Sequence, residues 1–162
     1  VPMMVHWPGK TSGLTRTDAP VIIEDIYPTI LAMADLQPRR QIDGVSFVDV
    51  IDDPKTDRSQ RPLFWHYPNF YHLPPYSSVR LGSLKLIYWH SDQKLELFDL
   101  KTDIGESNDL SGERPEDVSR LTEILGGFLR QADAKMPTNR ATGQSVPWPD
   151  AIAVEELNRT IQ

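Results

Sequence analysis

The chain has 162 residues, 39% of them hydrophobic, with 17 basic and 23 acidic side chains and a net charge of -6. That hydrophobic share sustains a packed core and excludes global disorder, and the acidic balance argues against a nucleic-acid partner, which would require a basic face. The absence of cysteine removes disulfides, thiolate zinc sites and a cysteine nucleophile, and no apolar run approaches the ~20 residues of a membrane-spanning helix.

Val1 to Trp7, in VPMMVHWPGK, is a nearly continuous apolar run closed by Pro8-Gly9. Such a run predicts a strand buried on both faces. The chain opens inside that strand without an initiator methionine, so the expectation is that the natural protein extends upstream. A polar loop to Pro20 precedes VIIEDIYPTILAMADL, where Ile26, Ile30, Met33 and Ala34 recur at helical spacing. Asp25 fits the N-cap, and Pro28 falls in the first turn, where its missing N–H does no harm. Strand, loop and helix in this order form part of an α/β unit.

Residues 37–61 are rich in Pro, Asp, Arg and Gly, with the island VSFVDVI predicted to form one or two helical turns. A boundary is placed near residue 59. Beyond it LFWHY is a strand candidate, followed by the proline-punctuated aromatic loop NFYHLPPY. Tyr76–Leu81, Leu84–His90 and Lys94–Leu100 read as three consecutive strands joined by Gly82-Ser83 and Ser91-Asp92-Gln93. In the middle strand Leu84, Leu86 and Tyr88 share one face, and Ile87 and Trp89 share the other. The sheet is therefore expected to be covered on both sides, with Trp89 in the core. In PEDVSRLTEILGGFLRQADAKM, the residues Val118, Leu121, Leu125, Phe128 and Ala132 form the apolar stripe of one covering helix. Gly126-Gly127 weakens that helix by about 1 kcal/mol per glycine and permits a close approach. The segment after Pro137 reads as an extended tail packing through Trp148, with a short helix near Ala151–Asn158.

Motifs of known chemistry are sparse. His66 stands in FWHYP beside a loop carrying Tyr71, His72 and Tyr76, a set of rings able to line a sugar or aryl pocket. An ordinary strand end filled by its own rings explains the same residues. His66 and His72 are six residues apart, but a metal site needs three or four converging ligands, and no metal ligand is assigned. Ser77-Ser78 beside Arg80 lacks a neighbouring base, so no catalytic residue is assigned either. Asn158-Arg159-Thr160 matches the glycosylation pattern, which is common by chance.

Seven stretches in order (VPMMVHWPGK, EDIYPTILAMADL, DGVSF, RPLFWHYP, SSVRLGSLKLIYW, LELFDLKTDIGESNDL and the closing helix) resemble the C-terminal part of sulfatases, the formylglycine-dependent sulfuric ester hydrolases of the alkaline phosphatase superfamily. The resemblance covers roughly residues 1–137. It implies an α/β class fold: residues 1–58 as the end of an alkaline-phosphatase-like α/β core, residues 59–137 as a small antiparallel sheet of about four strands with a C-terminal helix, and residues 138–162 as a tail. It implies a parent enzyme that hydrolyses sulfate esters, expected on carbohydrates, with this segment shaping the substrate cleft. Four residues become candidate substrate-binding groups: His66, Tyr67, His72 and Arg80. The segment's partner would be the N-terminal sulfatase domain of the same protein, in a periplasmic or secreted setting. The family's Cys- or Ser-x-Pro-x-Arg nucleophile motif and its calcium-binding carboxylates are absent from these 162 residues, so calcium and formylglycine are expected upstream and the chain alone is expected to be inactive. Ile104 stands where the family often has proline in an acidic turn. Two other readings stay open: a superfamily phosphodiesterase or phosphonate hydrolase, and a free-standing binding module without catalysis.

Overall fold

The computed structural model describes residues 3–11, 13, 15–70 and 72–152. Ala153–Asn158, where the short helix was expected to finish, and the Asn158 sequon lie outside these residues, as does Tyr71. The chain divides into two compact units, Val1–Gln60 and Arg61–Gln162.

In the first unit a 3-10 turn, Ile23–Asp25, runs into helix α1, Ile26–Met33, and a short helix α2 covers Val48–Asp52. Asp25 ties this unit together. Its buried carboxylate accepts hydrogen bonds from the backbone N–H of Ile22 and of Val45, and so satisfies donors that would otherwise be costly to bury. Thr29 extends the network: its hydroxyl donates to the Asp25 carbonyl at 2.6 Å and accepts from Phe47 N–H at 3.0 Å. Gly44 is required where these segments meet, because a Cβ there would overlap the Glu24 carbonyl.

Two expectations for this unit fail. Residues 3–7 form no strand, and Met4 is 99% exposed. A lone apolar segment has no ladder to satisfy its N–H and C=O groups, and none is provided among the described residues of the unit. On α1 the apolar stripe points outward: Ile26 and Ile30 are exposed, while Pro28 and Thr29 are buried. Periodicity identified the helix; the polar network of Asp25 and Thr29 decided which face it buries.

The second unit is a four-stranded antiparallel sheet in the order β1-β2-β3-β4: Leu63–Tyr67, Tyr76–Leu81, Leu84–Trp89 and Leu95–Asp99. Gly82, at φ +60, makes the two-residue turn between β2 and β3. Register then follows, with Leu81 opposite Leu84 and Ser77 opposite Tyr88. Helix α3, Pro115–Gln131, covers one face. It starts with proline in its first turn and two acids, Glu116 and Asp117, that complement the helix dipole. Val118, Leu121, Leu125 and Leu129 pack against Val79, Leu86, Tyr88 and Leu97. Each of the fully buried leucines contributes about 1.5–3 kcal/mol. Phe128 stacks on Phe64 with ring centroids 3.9 Å apart. Ala132 is the exposed C-cap and not part of the stripe, whose last member is Leu129.

The segment after Pro137 contributes to this core through Val146 and Ile152. Tyr88 donates its hydroxyl to the Pro147 carbonyl at 3.0 Å, and Arg130 lies over the Trp148 ring. Gly126 allows this approach: a Cβ there would overlap the Asp150 carboxylate, which Arg130 holds through two hydrogen bonds of 3.0 and 2.7 Å. On the opposite face of the sheet Leu63, Ile87 and Phe98 are buried. Trp89 is only half-buried, correcting its expected place in the core: it closes β3, and its indole N–H donates to Glu96 at 2.7 Å. After β4 the Asp103 carboxylate accepts from the N–H groups of Ser107 and Asn108, while Ile104 is 83% exposed. An exposed turn position tolerates isoleucine in place of proline.

Candidate functional site

His66 sits near the end of β1 on the face toward α3, directly opposite Ser77 of β2. Its Nδ1 is 2.8 Å from Ser77 Oγ, and its Nε2 is 3.2 Å from the carbonyl oxygen of Lys135. Ser77 Oγ is also 2.8 Å from Nε2 of His90, the residue after β3. Three side chains from three strand ends therefore form one hydrogen-bonded row.

The direction of that row follows from which atoms can donate. A carbonyl only accepts, so the neutral His66 ring carries its proton on Nε2 and donates it to Lys135. His66 Nδ1 is then an acceptor and takes the single hydroxyl proton of Ser77. The Ser77 oxygen in turn accepts from the Nε2–H of His90. His90 Nδ1 is left with a lone pair, and that atom is buried without a partner among the described residues. An orphaned buried acceptor costs about 1–3 kcal/mol.

Electrostatics reinforces this arrangement. His90 is 2% exposed, and burial first, with the His66 charge second, lowers its pKa to about 4. Near neutral pH His90 is uncharged and acts as a donor through Nε2 alone. Its neighbour Tyr88, in edge contact at 5.3 Å, has its phenol pKa raised by burial first and by Asp92 second. This end of the sheet resists charging from both directions.

The four candidate residues do not converge. His66 faces α3, whereas Tyr67 and Arg80 belong to the other face of the sheet by strand alternation. Arg80 lies opposite Leu63, four residues from Tyr67 along the ladder, or about 13 Å. Tyr67 is partly exposed and packs beside Tyr76 with centroids 6.1 Å apart. Arg80 is half-buried and donates from Nε to the Gly82 carbonyl. His72 is exposed in the loop between β1 and β2. Two partners of His66 escaped the sequence reading. In the sequence Ser77 stands out only as a possible nucleophile, and His90 only as the end of a strand. The signal that could have found His90 was the Gly82-Ser83 turn, whose register sets it diagonal to Ser77 on the same face.

The chain does not fit the calcium and formylglycine that the family resemblance implies. It has no cysteine and no Ser-x-Pro-x-Arg stretch, and among the described residues no three His, Asp or Glu side chains are placed to hold a metal ion. No helix among the described residues is long and apolar enough to cross a membrane.

Comparison with known proteins identifies the setting of this sheet. Residues 1–134 match the family described as N-sulphoglucosamine sulphohydrolase, C-terminal. The chain belongs to that family, and its sheet-and-helix unit is a sulfatase C-terminal fold. Among curated proteins it is 26% identical to a sulfatase of Formosa agariphila over 96% of its own length and 32% of the relative's. It is 29% identical to arylsulfatase G of Rattus norvegicus, covering 80% of this chain and 28% of that protein. Among solved structures it is similar, at 26% identity and a TM-score of 0.57, to BT4656 in complex with its substrate D-glucosamine-2-N,6-O-disulfate. That match covers 67% of this chain and 24% of the other. The chain thus spans about a third or less of the length of the relatives it matches.

Proposed function

We propose that this chain is the C-terminal segment of a sulfatase whose complete form hydrolyses sulfate esters on carbohydrates. The match of residues 1–134 to the sulphohydrolase C-terminal family carries this reading, and the similarity to a protein whose substrate is a sulfated glucosamine supports the sugar class. On this reading formylglycine and calcium reside on residues outside these 162, in an N-terminal sulfatase domain that is the segment's partner. Hydrolysis belongs there. The segment's part is recognition: the end of β1 and the loop after it border the cleft, with His66, Tyr67, His72 and Arg80 as contacts for parts of the substrate away from the reacting sulfur. Support for His66 comes from its place near the end of β1, half-buried and next to that loop.

The test is release of inorganic sulfate from D-glucosamine 6-sulfate by the complete protein, with calcium present. Sulfate release is expected. Cleavage of a phosphate diester or phosphonate monoester in its place would move the chain to another branch of the same superfamily.

A further inference from the structure

Beyond the His66–Ser77–His90 row, the second unit holds a cavity of about 420 Å³ between His90 and the segment from Pro137 to Pro147. One wall is a preformed hairpin. Thr138 pairs with Ser145, Asn139 N–H donates to the Gln144 carbonyl at 2.8 Å, and Gly143 N–H donates to the Asn139 carbonyl at 2.8 Å. Gly143 supplies the left-handed φ of +70 that the turn requires, and the Asn139 side chain accepts from Ala141 N–H at 2.9 Å.

The lining has an unusual charge for this chain. Among the described residues no acidic side chain lines the cavity, and Arg140 is the only formal charge of the lining while His90 is neutral. Arg114, Arg120 and Arg130 in the same unit pair with Asp117 or Asp150. Arg140 has no carboxylate partner among the described residues. Ser91, Gln93, Gln144 and Ser145 line the same space, and their side chains make no hydrogen bond to a described residue. A guanidinium with free N–H groups binds a planar or tetrahedral oxyanion through paired hydrogen bonds. Amides and hydroxyls around it both donate and accept, which matches a ligand covered in hydroxyls. The volume falls within the usual range for small-molecule sites, about 300–1,000 Å³.

We propose that this cavity binds one anionic sugar unit, with Arg140 on its sulfate or carboxylate and Gln93 and Gln144 on its hydroxyls. The anionic preference stands on the lining alone; the choice of a sugar rests on the function proposed above. The site is one of binding and involves no bond cleavage.

Titration of the isotopically labelled 162-residue chain with D-glucosamine 6-sulfate, followed by amide NMR, tests the proposal. D-Glucosamine and inorganic sulfate serve as the two comparison ligands. Saturable shifts centred on Arg140 and Gln144 are expected, with weaker binding of each comparison ligand. Arg140→Gln should weaken the sulfated sugar by about tenfold or more, the scale of a lost charged hydrogen bond, and Arg140→Lys by less. Arg140 is exposed, and unchanged shifts in β3 and α3 verify that each variant is folded. The proposal is overturned if no saturable shifts occur at the cavity, if Arg140→Gln leaves affinity unchanged, or if inorganic sulfate binds as tightly as the sugar. The readout is binding and not turnover. Sulfatase activity without this binding would remove only the present inference, and binding without that activity would remove only the function proposed above.

Discussion

Ser77 has one proton to give, and this orders the whole row at the sheet end. Because the Lys135 carbonyl fixes the outer proton on His66, the inner histidine must donate to Ser77 and cannot also receive a proton without taking charge into a buried site. His90 has a folded-state pKa of about 4 against an ordinary 6.5, so below about pH 6.5 the unfolded chain binds a proton that the folded chain refuses. Stability from this residue therefore rises with pH between about 4 and 6.5, and is lost as pH falls through that window. From pH 7 to pH 5 the loss is about 2 kcal/mol. His90→Gln retains a donor toward Ser77 without a titratable ring. Urea unfolding at the two pH values should show the variant losing distinctly less stability than the parent; equal losses would mean that His90 titrates normally.

His66 is the residue for which kinetics separates recognition from chemistry. If it contacts a remote part of the substrate, its loss removes binding shared by ground state and transition state. In the complete enzyme His66→Ala should raise KM for a sulfated sugar by about two- to tenfold, the worth of one hydrogen bond, with kcat nearly unchanged. A small aryl sulfate should be affected far less. A thousandfold fall in kcat at constant KM would instead make His66 a catalytic acid.

At the scale of elements, the two glycines of α3 give a paired test. Both lie in a helix interior, where glycine costs about 1 kcal/mol relative to alanine. Gly127 is exposed with open space around its Cα, so Gly127→Ala should stabilise by about that amount. Gly126→Ala should destabilise, because the new methyl displaces the Asp150 carboxylate from Arg130 and loosens the Pro149–Ile152 segment. Thermal melts of the two single variants measure both signs; stabilisation by both would show that the segment does not pack on Gly126. The elements most legible in the sequence were those whose pattern and punctuation agreed. β2 and β3 flank a Gly-Ser turn, and α3 carries a stripe with proline at its start. Less legible was the pairing of β1 with β2, which sets Ser77 opposite His66. A loop of eight residues, Pro68–Pro75, joins those strands, and such a loop fixes no register by its own chemistry. The stripe of α1 misled for a different reason: hydrophobic spacing cannot foresee a buried Asp25 that accepts two backbone hydrogen bonds.

For the whole molecule, the units differ in how their backbone is satisfied. Val79, Leu86, Tyr88 and Leu97 lie in paired strands behind α3 and are fully buried. The amides of Met3 to His6 make no backbone hydrogen bond to a described residue, and Met4 is fully open to solvent. Hydrogen exchange should therefore find Leu86 and Tyr88 among the slowest amides and Met3–His6 among the fastest. Comparable protection of both would contradict the loss of the expected first strand. The apolar run Val1–Trp7 was legible as a strand only because its composition suits one; a strand is made by its neighbours, and composition does not supply them. The candidate site was legible in part for a similar reason. FWHYP marked His66, but Ser77, His90 and the Arg140 cavity come together only through tertiary pairing.

On the function proposed above, these residues belong to a sulfatase and its reaction chemistry lies on residues outside them. Sulfate released from D-glucosamine 6-sulfate in the presence of calcium, measured side by side for the 162-residue chain and for the complete protein, tests it most directly. Multiple turnovers are expected from the complete protein, and none above a heat-killed control from the chain alone. Turnover by the chain alone, or a complete protein that releases no sulfate, would contradict it.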